Sequence, residues 1–252
     1  MKKVFIPLTL VFLWTGTGYA AERPVPAPTL SDANAKYAAG DFKAAAEMYE
    51  ALVGSGQRTS ALYYNLGNAD LRAGRKGEAL IAYERAKNIS PRDEDIRWNL
   101  AILKSVLADK LELPSIHPLA DTLKNAMDRV SAFETGAALA GAFFVLMVLA
   151  VLNLLLWPDK RWSRQLQRLA FVGLVLAGAA FAWKWNEVKD PRAVVLDKQV
   201  YARYGPSETE TKAFLLHEGA EGRVLDSSKE WFYISLANGN TGWVPKASCE
   251  VI

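Results

Sequence analysis

The sequence predicts a multidomain membrane protein with an all-α stack of helical repeats, a two-helix transmembrane hairpin and a small all-β barrel, in that order. Three observations predict this fold class. The segment AAGDFKAAAEMYEA at 38–51 aligns with RAGRKGEALIAYER at 72–85. Two apolar runs follow, at 136–157 and 169–183, with a short basic segment between them. From residue 190 onward, short β-rich runs alternate with turn residues.

The N-terminal residues 1–20 have the pattern of a secretory signal peptide. They contain two lysines, an apolar stretch at 4–14 and a small-x-small cleavage site at 18–20. The following residues, 21–30, hold alternating prolines that disfavour a helix, so we predict an extended Pro-rich linker.

The repeat region is predicted to span 31–112. Gly67 and Ala79 are small where two helices must approach closely, and Gly74 ends the first helix of its pair in a left-handed conformation. A period of about 34 residues with these features resembles the tetratricopeptide repeat. The segment 94–111 repeats the start of a third unit and is expected to be a capping helix. Asp70 departs from the family pattern, which usually has an aromatic residue there.

The resemblance to tetratricopeptide repeats implies a partner-binding surface on the first helix of each unit, which we call the inner wall. Its residues would be Asn34, Tyr64, Asn65, Asn68, Leu71, Arg72, Trp98, Asn99 and Ile102. The asparagine amides are able to hydrogen-bond an extended peptide backbone. In the alternative interpretation, Asn65 and Asn99 brace the repeat itself.

A juxtamembrane segment at 113–134 connects the repeats to the membrane. Leu119, Leu123, Met127 and Val130 recur at helical spacing. We expect a short amphipathic helix that lies on the membrane or closes the repeat stack.

The predicted hairpin has transmembrane helices at 136–157 and 166–185. The first carries no charged residue and is long enough, at about 1.5 Å per residue, to cross a hydrocarbon core of about 30 Å. Its one strongly polar residue, Asn153, is outweighed by its apolar neighbours. The loop at 158–168 is basic, which favours the cytoplasmic side. Both soluble parts are therefore expected on the outer or periplasmic face.

The C-terminal module is predicted at 190–252, with an Asn-Gly hairpin turn at 238–239. The strings RYGPS, EGAEGRVL and EWFYISLANGNTGWVP resemble the bacterial Src-homology-3-like domain. That resemblance implies a groove for wall peptides or protein segments. Its aromatic residues, which we call the aromatic set, would be Tyr201, Tyr204, Trp231, Tyr233 and Trp243, and several of them must belong to the core.

Composition argues against several classes of function. The net charge is only +3 and neither soluble part is basic, so nucleic-acid binding is disfavoured. The single cysteine, Cys249, makes no internal disulfide and is more typical of a core residue than of a nucleophile. His117 lies between two prolines without a second metal ligand nearby, and no Asn or Asp constellation accompanies His217 and Cys249. We therefore expect no enzymatic activity, catalytic residue, metal or cofactor.

The order of these parts resembles the Bat aerotolerance family, especially through YYNLGNA, GEALIAYERA and PRDEDIRWNLA. The resemblance implies a subunit of the bacterial inner membrane that works beside von Willebrand A-domain membrane proteins and a MoxR-type ATPase. Our first hypothesis is a non-enzymatic scaffold or assembly factor. The alternative is a cell-wall-sensing receptor whose barrel binds peptidoglycan peptides.

Overall fold

A computed structural model describes residues 28–109, 118–156 and 161–252. The predicted signal peptide, most of the Pro-rich linker, His117, Trp157 and the start of the loop between the spans lie outside these ranges. The eight helices of the described residues are α1 Leu30–Ala38, α2 Phe42–Gly54, α3 Ser60–Ala73, α4 Lys76–Ile89, α5 Glu94–Val106, α6 Pro118–Met127, α7 Ala132–Leu155 and α8 Arg161–Lys189. The strands are β1 Arg192–Val195, β2 Gln199–Arg203, β3 Lys212–His217, β4 Glu221–Ser227, β5 Trp231–Ser235, β6 Thr241–Pro245 and β7 Cys249–Val251, with a short 3₁₀ helix at Lys246–Ser248.

Helices α1 to α5 form the predicted helical repeat stack. Gly67 lies where α3 and α4 approach closely, since a Cβ added there would lie 2.8 Å from the ring of Tyr83 on α4. Helix α3 ends at Gly74, whose φ of +82° is the left-handed conformation that we predicted. The fully buried Tyr49 and Tyr83 fill the corresponding positions of the two repeats.

Helices α7 and α8 pack against each other as a hairpin, and both are long and apolar enough to cross a membrane. No residue in their most apolar 18-residue windows is buried within the protein. The polar Asn153 is accommodated between the helices, because its Oδ1 accepts a 2.6 Å hydrogen bond from the Ser163 hydroxyl. Helix α8 begins at Arg161, within the stretch that we predicted as the loop.

The C-terminal part is an antiparallel sheet of seven strands in the order β3-β2-β6-β5-β4-β1-β7. The predicted Asn-Gly hairpin joins β5 to β6, with Gly239 at a φ of +87°. The sheet curls around its own core, which includes Ala202, Ile234 and Val244. The sheet is not closed into a barrel, because no ladder joins the end strands β3 and β7 within the described residues.

The sheet packs on the end of the repeat stack. Strand β1 is buried on both faces, since Ala193 and Val195 belong to the core of the sheet while Val194 packs with Leu80 of α4 and Leu103 of α5. A Cβ at Gly77, near the start of α4, would lie 2.7 Å from the carbonyl oxygen of Val195. The backbones of the two parts are therefore in close contact.

A buried charge cluster holds the same interface. The Glu84 carboxylate of α4 is fully buried and lies 2.6 Å from Lys104 Nζ, 3.1 Å from Lys87 Nζ and 3.6 Å from an Arg192 guanidinium nitrogen. Burial alone would raise the pKa of Glu84, but these three cations hold it well below its usual value. Glu221 of β4 completes the cluster by pairing with both Lys104 and Arg192.

A residue of the sheet also caps a helix of the stack. Helix α4 has no side-chain cap of its own, because its N-cap residue is Arg75. The Glu218 carboxylate, between β3 and β4, instead accepts hydrogen bonds from the backbone N–H groups of Lys76 and Gly77. An anion at this end of a helix also offsets the positive end of the helix dipole.

Candidate functional site: the inner wall of the repeats

The predicted inner-wall residues lie on three helices, as expected from the repeat pattern. Asn34 is on α1, the central group is on α3, and Trp98, Asn99 and Ile102 are on α5. They divide into residues that support the stack and residues that remain available to a partner.

Most of the asparagine and tyrosine side chains in the wall are bonded to one another. Tyr49 donates a 2.7 Å hydrogen bond to Asn34, and Tyr83 donates one of the same length to Asn68. The Asn99 amide donates to Asn68 Oδ1 and to the Tyr64 hydroxyl, each at 3.0 Å. The tyrosine bonds join the two helices of one repeat, and the Asn99 bonds join α5 to α3, the first helix of the preceding repeat. They agree with the bracing interpretation for Asn99.

Asn65 stands apart, because its side chain makes none of these bonds. It is half-buried beside a small pocket of about 140 Å³, whose lining residues are Asn34, Tyr37, Tyr49, Asn65 and Asn68. The Asn34 and Asn68 oxygens already accept hydrogen bonds, which leaves the NH₂ groups of these two lining residues as the available donors. The pocket is therefore richer in donors than in acceptors and suits carbonyl oxygens of a peptide backbone.

Helix α5, whose Asn99 bonds to the pocket-lining Asn68, carries exposed apolar side chains. The Trp98 side chain is 68% exposed, and Ile102, one helical turn further on, is 44% exposed. Arg72 is exposed with its guanidinium 5.7 Å above the Phe42 ring, whereas Leu71 packs against the buried core and contributes little surface. An exposed tryptophan beside free amide groups is the kind of anchor that dominates the energy of peptide interfaces.

Asp70, the residue that departs from the repeat pattern, is buried below the opposite side of α3. Its carboxylate pairs with Arg75, which also reaches Glu50 at 3.3 Å. Burial, partly offset by Arg75, raises the pKa of Asp70 to about 7. The partly buried Glu78 lies in the same electrostatic environment, and burial raises its pKa too.

This buried acid predicts a pH-dependent stability. Because the pKa of Asp70 is raised from 3.8 to about 7 on folding, the folded state binds the proton more tightly than the unfolded state does. Its contribution to the free energy of unfolding is therefore greatest below pH 4 and is lost as the pH rises through 7. Since a change of one in a pKa corresponds to about 1.4 kcal/mol, we expect the purified protein to lose more than about 1 kcal/mol between pH 5 and pH 8 in urea titrations.

Asp70→Asn removes this titration and is expected to flatten the dependence, whereas the exposed Glu47→Gln is the matched control and should leave it unchanged. An equal slope for wild type and Asp70→Asn would show that this carboxyl titrates alike in the folded and unfolded states.

The aromatic set of the sheet includes exposed, partly exposed and buried residues. Tyr233 and Trp243 are directly paired across β5 and β6, with ring centroids 5.1 Å apart, on the face opposite the core. Tyr201 is 42% exposed beneath the Lys212 ammonium, and Tyr204 is 71% exposed. Trp231 is buried. This agrees with the expectation that some of these residues belong to the core.

Two further residues with potentially reactive side chains, His217 and Cys249, lie where they contribute to the structure. His217 lies 3.1 Å from Asp109 and joins the sheet to the end of the repeat region. Cys249 is largely enclosed, and burial raises the pKa of its thiol to about 12, so the thiolate needed for a nucleophile is disfavoured. Among the residues that the structure describes, no group of three or more His, Cys, Asp or Glu side chains is placed to hold a metal ion.

Sequence reasoning missed Tyr37 and Tyr49 as pocket-lining residues. A signal was present for Tyr49, because it repeats as Tyr83 in the second unit. The predicted wall also included Leu71, which packs against the core. The sequence does not separate it from its exposed neighbour Arg72, because the two residues are adjacent on α3.

The comparison with known families agrees with this geometry. The Tetratricopeptide repeat family model matches residues 30–94, which include α1 to α4. Repeats of this class are typically non-catalytic protein-interaction modules, and they indicate protein partners for this chain. No curated protein matches the chain.

Proposed function

We propose that this protein is a non-enzymatic, membrane-anchored scaffold that holds an extended segment of a partner protein on the inner wall of its repeats. One observation carries the proposal: Asn65, whose amide is not used in the bonds that brace the stack, lies beside a donor-rich pocket, and the same predicted wall presents the exposed Trp98 on α5. The amides suit a peptide backbone, and the tryptophan suits an apolar side chain.

The contact between the repeats and the sheet supports the proposed membrane arrangement. The two parts share the buried Glu84 cluster and the apolar contact at Val194, so they lie on the same side of any membrane. The chain between them must then cross an even number of times. Two apolar helices that both span satisfy this requirement, with the basic Arg161–Arg168 end of α8 in the cytoplasm and both soluble parts on the periplasmic face.

The particular partner that we propose is a membrane protein with a von Willebrand A domain, as part of a Bat-type complex linked to aerotolerance or envelope stress. This proposal is supported by the resemblance of the chain to BatE, of the Bat aerotolerance family. Anchoring by the hairpin would keep the inner wall on the same side of the membrane as the exported domain of such a partner.

A second candidate function is a cell-wall-sensing receptor, for which the exposed aromatic residues of the sheet are the favouring observation. Tyr201 and Tyr204 are exposed, and the Tyr233–Trp243 pair lies on the outer face. Aromatic rings offer apolar contact to wall peptides with little loss of conformational entropy. Retention of the full chain on purified peptidoglycan, lost on Tyr201→Ala with Tyr204→Ala, would favour this function.

The scaffold proposal is tested by affinity purification of the full chain from gently solubilised native membranes. The variant Asn65→Ala with Trp98→Ala removes the available groups while sparing the Tyr64, Asn68 and Asn99 bonds that brace the stack. Because loss of a tryptophan anchor commonly costs about 2 kcal/mol or more, we expect recovery of von Willebrand A-domain proteins to fall by at least about tenfold.

The matched control is Ile89→Ala with Gln57→Ala, which also removes an exposed apolar side chain and an exposed amide but lies outside the inner wall. The control should recover the partners at the wild-type level. Equal recovery by the inner-wall variant would exclude this surface as the contact, and recovery of cell-wall fragments alone would favour the receptor.

A further inference from the structure

Helix α6 has two sharply different faces. Leu119 and Leu123 lie one turn apart on one face, with exposed fractions of 61% and 54%. Met127 continues this face by a further turn. Lys124, Asn125 and Asp128 project from the other side of the helix. No residue of α6 is buried. The helix is therefore amphipathic, yet its apolar face is not covered by the repeats or the sheet.

The polar face of α6 is directed toward the soluble parts. Lys124 and Asp128 line a cleft of about 1100 Å³ together with Leu107 of the repeat region and Glu221 of the sheet. Since these two side chains border the folded body, the leucine face on the opposite side of the helix points away from it. The orientation rules out α6 as a cover for the repeat stack, one of the two roles predicted from the sequence.

The position of α6 along the chain brings it to the level of the membrane surface. Only residues 128–131 separate it from Ala132, where the apolar helix α7 begins. Trp183, near the end of α8, lines the same cleft as Lys124 and is 53% exposed. Tryptophan near the end of a spanning helix marks the boundary between headgroups and acyl chains. Helix α6 therefore lies beside the end of α8 that the proposed crossing puts at the membrane surface, with its leucine face directed away from the cleft.

We propose that α6 is an interfacial helix whose Leu119, Leu123 and Met127 side chains insert into the surface of the lipid bilayer. The inference rests on the membrane crossing proposed above and extends it to a part of the chain that does not span. The charges on and just after α6 balance, with Asp121 and Asp128 against Lys124 and Arg129, so burial of apolar area rather than attraction to anionic lipid stabilises the contact. Its consequence is a fixed tilt of the repeats relative to the membrane.

The experiment uses the full chain, with Cys249→Ala, in nanodiscs of neutral phosphatidylcholine. A bimane fluorophore is attached at Leu123→Cys, at the polar-face control Asn125→Cys, or at the hairpin reference Val148→Cys. Nanodiscs are prepared with lipid brominated near the headgroup or near the end of the acyl chain. Because interfacial helices bury about 5–10 Å deep, we expect headgroup-proximal bromine to quench position 123 at least about twofold more than position 125.

The three positions separate the two proposals. Quenching at 148 by bromine near the chain end, with strong shallow quenching at 123 and weak quenching at 125, supports both. Quenching at 148 without preferential quenching at 123 overturns the interfacial helix and leaves the hairpin intact. Absence of quenching at all three positions overturns the membrane crossing and, with it, this inference. Raising the salt concentration should leave the quenching at 123 unchanged, whereas a clear decrease would contradict the apolar mode of binding.

Discussion

Glu84→Ala is expected to lower the free energy of unfolding by about 3–5 kcal/mol, because it removes the one carboxylate that compensates three cations at a buried interface. Lys104 and Lys87 approach Glu84 within 3.1 Å, and Arg192 lies 3.6 Å away. Without Glu84, Lys104 and Arg192 keep only Glu221 as a shared partner. The loss should exceed that from any exposed ion pair, since exposed pairs contribute about 1 kcal/mol or less.

Chemical denaturation of the detergent-solubilised protein measures this effect. Glu47→Ala, which truncates an exposed glutamate on α2, is the control and should change the free energy of unfolding by less than about 0.5 kcal/mol. A Glu84→Ala variant that unfolds at the same denaturant concentration as this control would show that the cluster contributes nothing to docking.

Val194→Asp is expected to release the sheet from the repeats at a cost of several kcal/mol, because it places a charge in a fully apolar contact. Val194 is 0% exposed, between Leu80 and Leu103. Its cross-strand neighbours are Glu221 on β4 and Glu250 on β7. A new carboxylate there would lie beside these two existing carboxylates. The nearby cations already pair with Glu84, Glu221 and Glu250, so none is free to neutralise it.

Hydrogen exchange of the full chain distinguishes undocking from general unfolding. In Val194→Asp we expect amides of α5 and the N-terminal turn of α4 to lose protection, while amides of the β5–β6 hairpin keep theirs. Val194→Ala retains an apolar side chain, so it should show the same pattern in weaker form, consistent with a cavity cost of about 1–3 kcal/mol. Unchanged protection of α5 in both variants would contradict a docked sheet.

The parts of the fold that depend on local spacing were predictable from the sequence. The repeat period, the glycine at the end of α3 and the Asn-Gly turn all depend on residues close together in the chain. Gly67 was also predictable as a site of close approach, since the family pattern fixes its partner helix. The length and apolarity of 136–157 likewise needed no tertiary information.

The parts that were not predictable depend on contacts between distant residues. Residues 192–195 read as an ordinary strand, and nothing in their sequence indicates that Val194 faces away from its own sheet. The same applies to Glu218, whose role appears only when α4 lies beside it. The order of the strands, which leaves β3 and β7 at the two ends of the sheet, is likewise not specified by sequence patterns.

Within the candidate site, the residue types were predictable but their availability was not. Asn65 and Asn68 are both asparagines on α3, yet Asn68 is occupied by Tyr83 and Asn99 while Asn65 is not. The two asparagines are about one helical turn apart on α3, so their side chains face different neighbouring residues. The sequence therefore predicts the wall, and the hydrogen-bond geometry identifies Asn65 as the asparagine of α3 whose amide is not used to brace the stack.

The cap that Glu218 supplies to α4 has a consequence for the order of biogenesis. The bonded groups are 142 and 141 residues apart in the chain, and the whole hairpin is synthesised between them. In the proposed topology, the repeats would cross the membrane first, and the start of α4 would stay uncapped until β3 and Glu218 had followed on the same side. Contacts of such long sequence separation form late. The repeat stack would therefore be completed only after both membrane helices had been inserted.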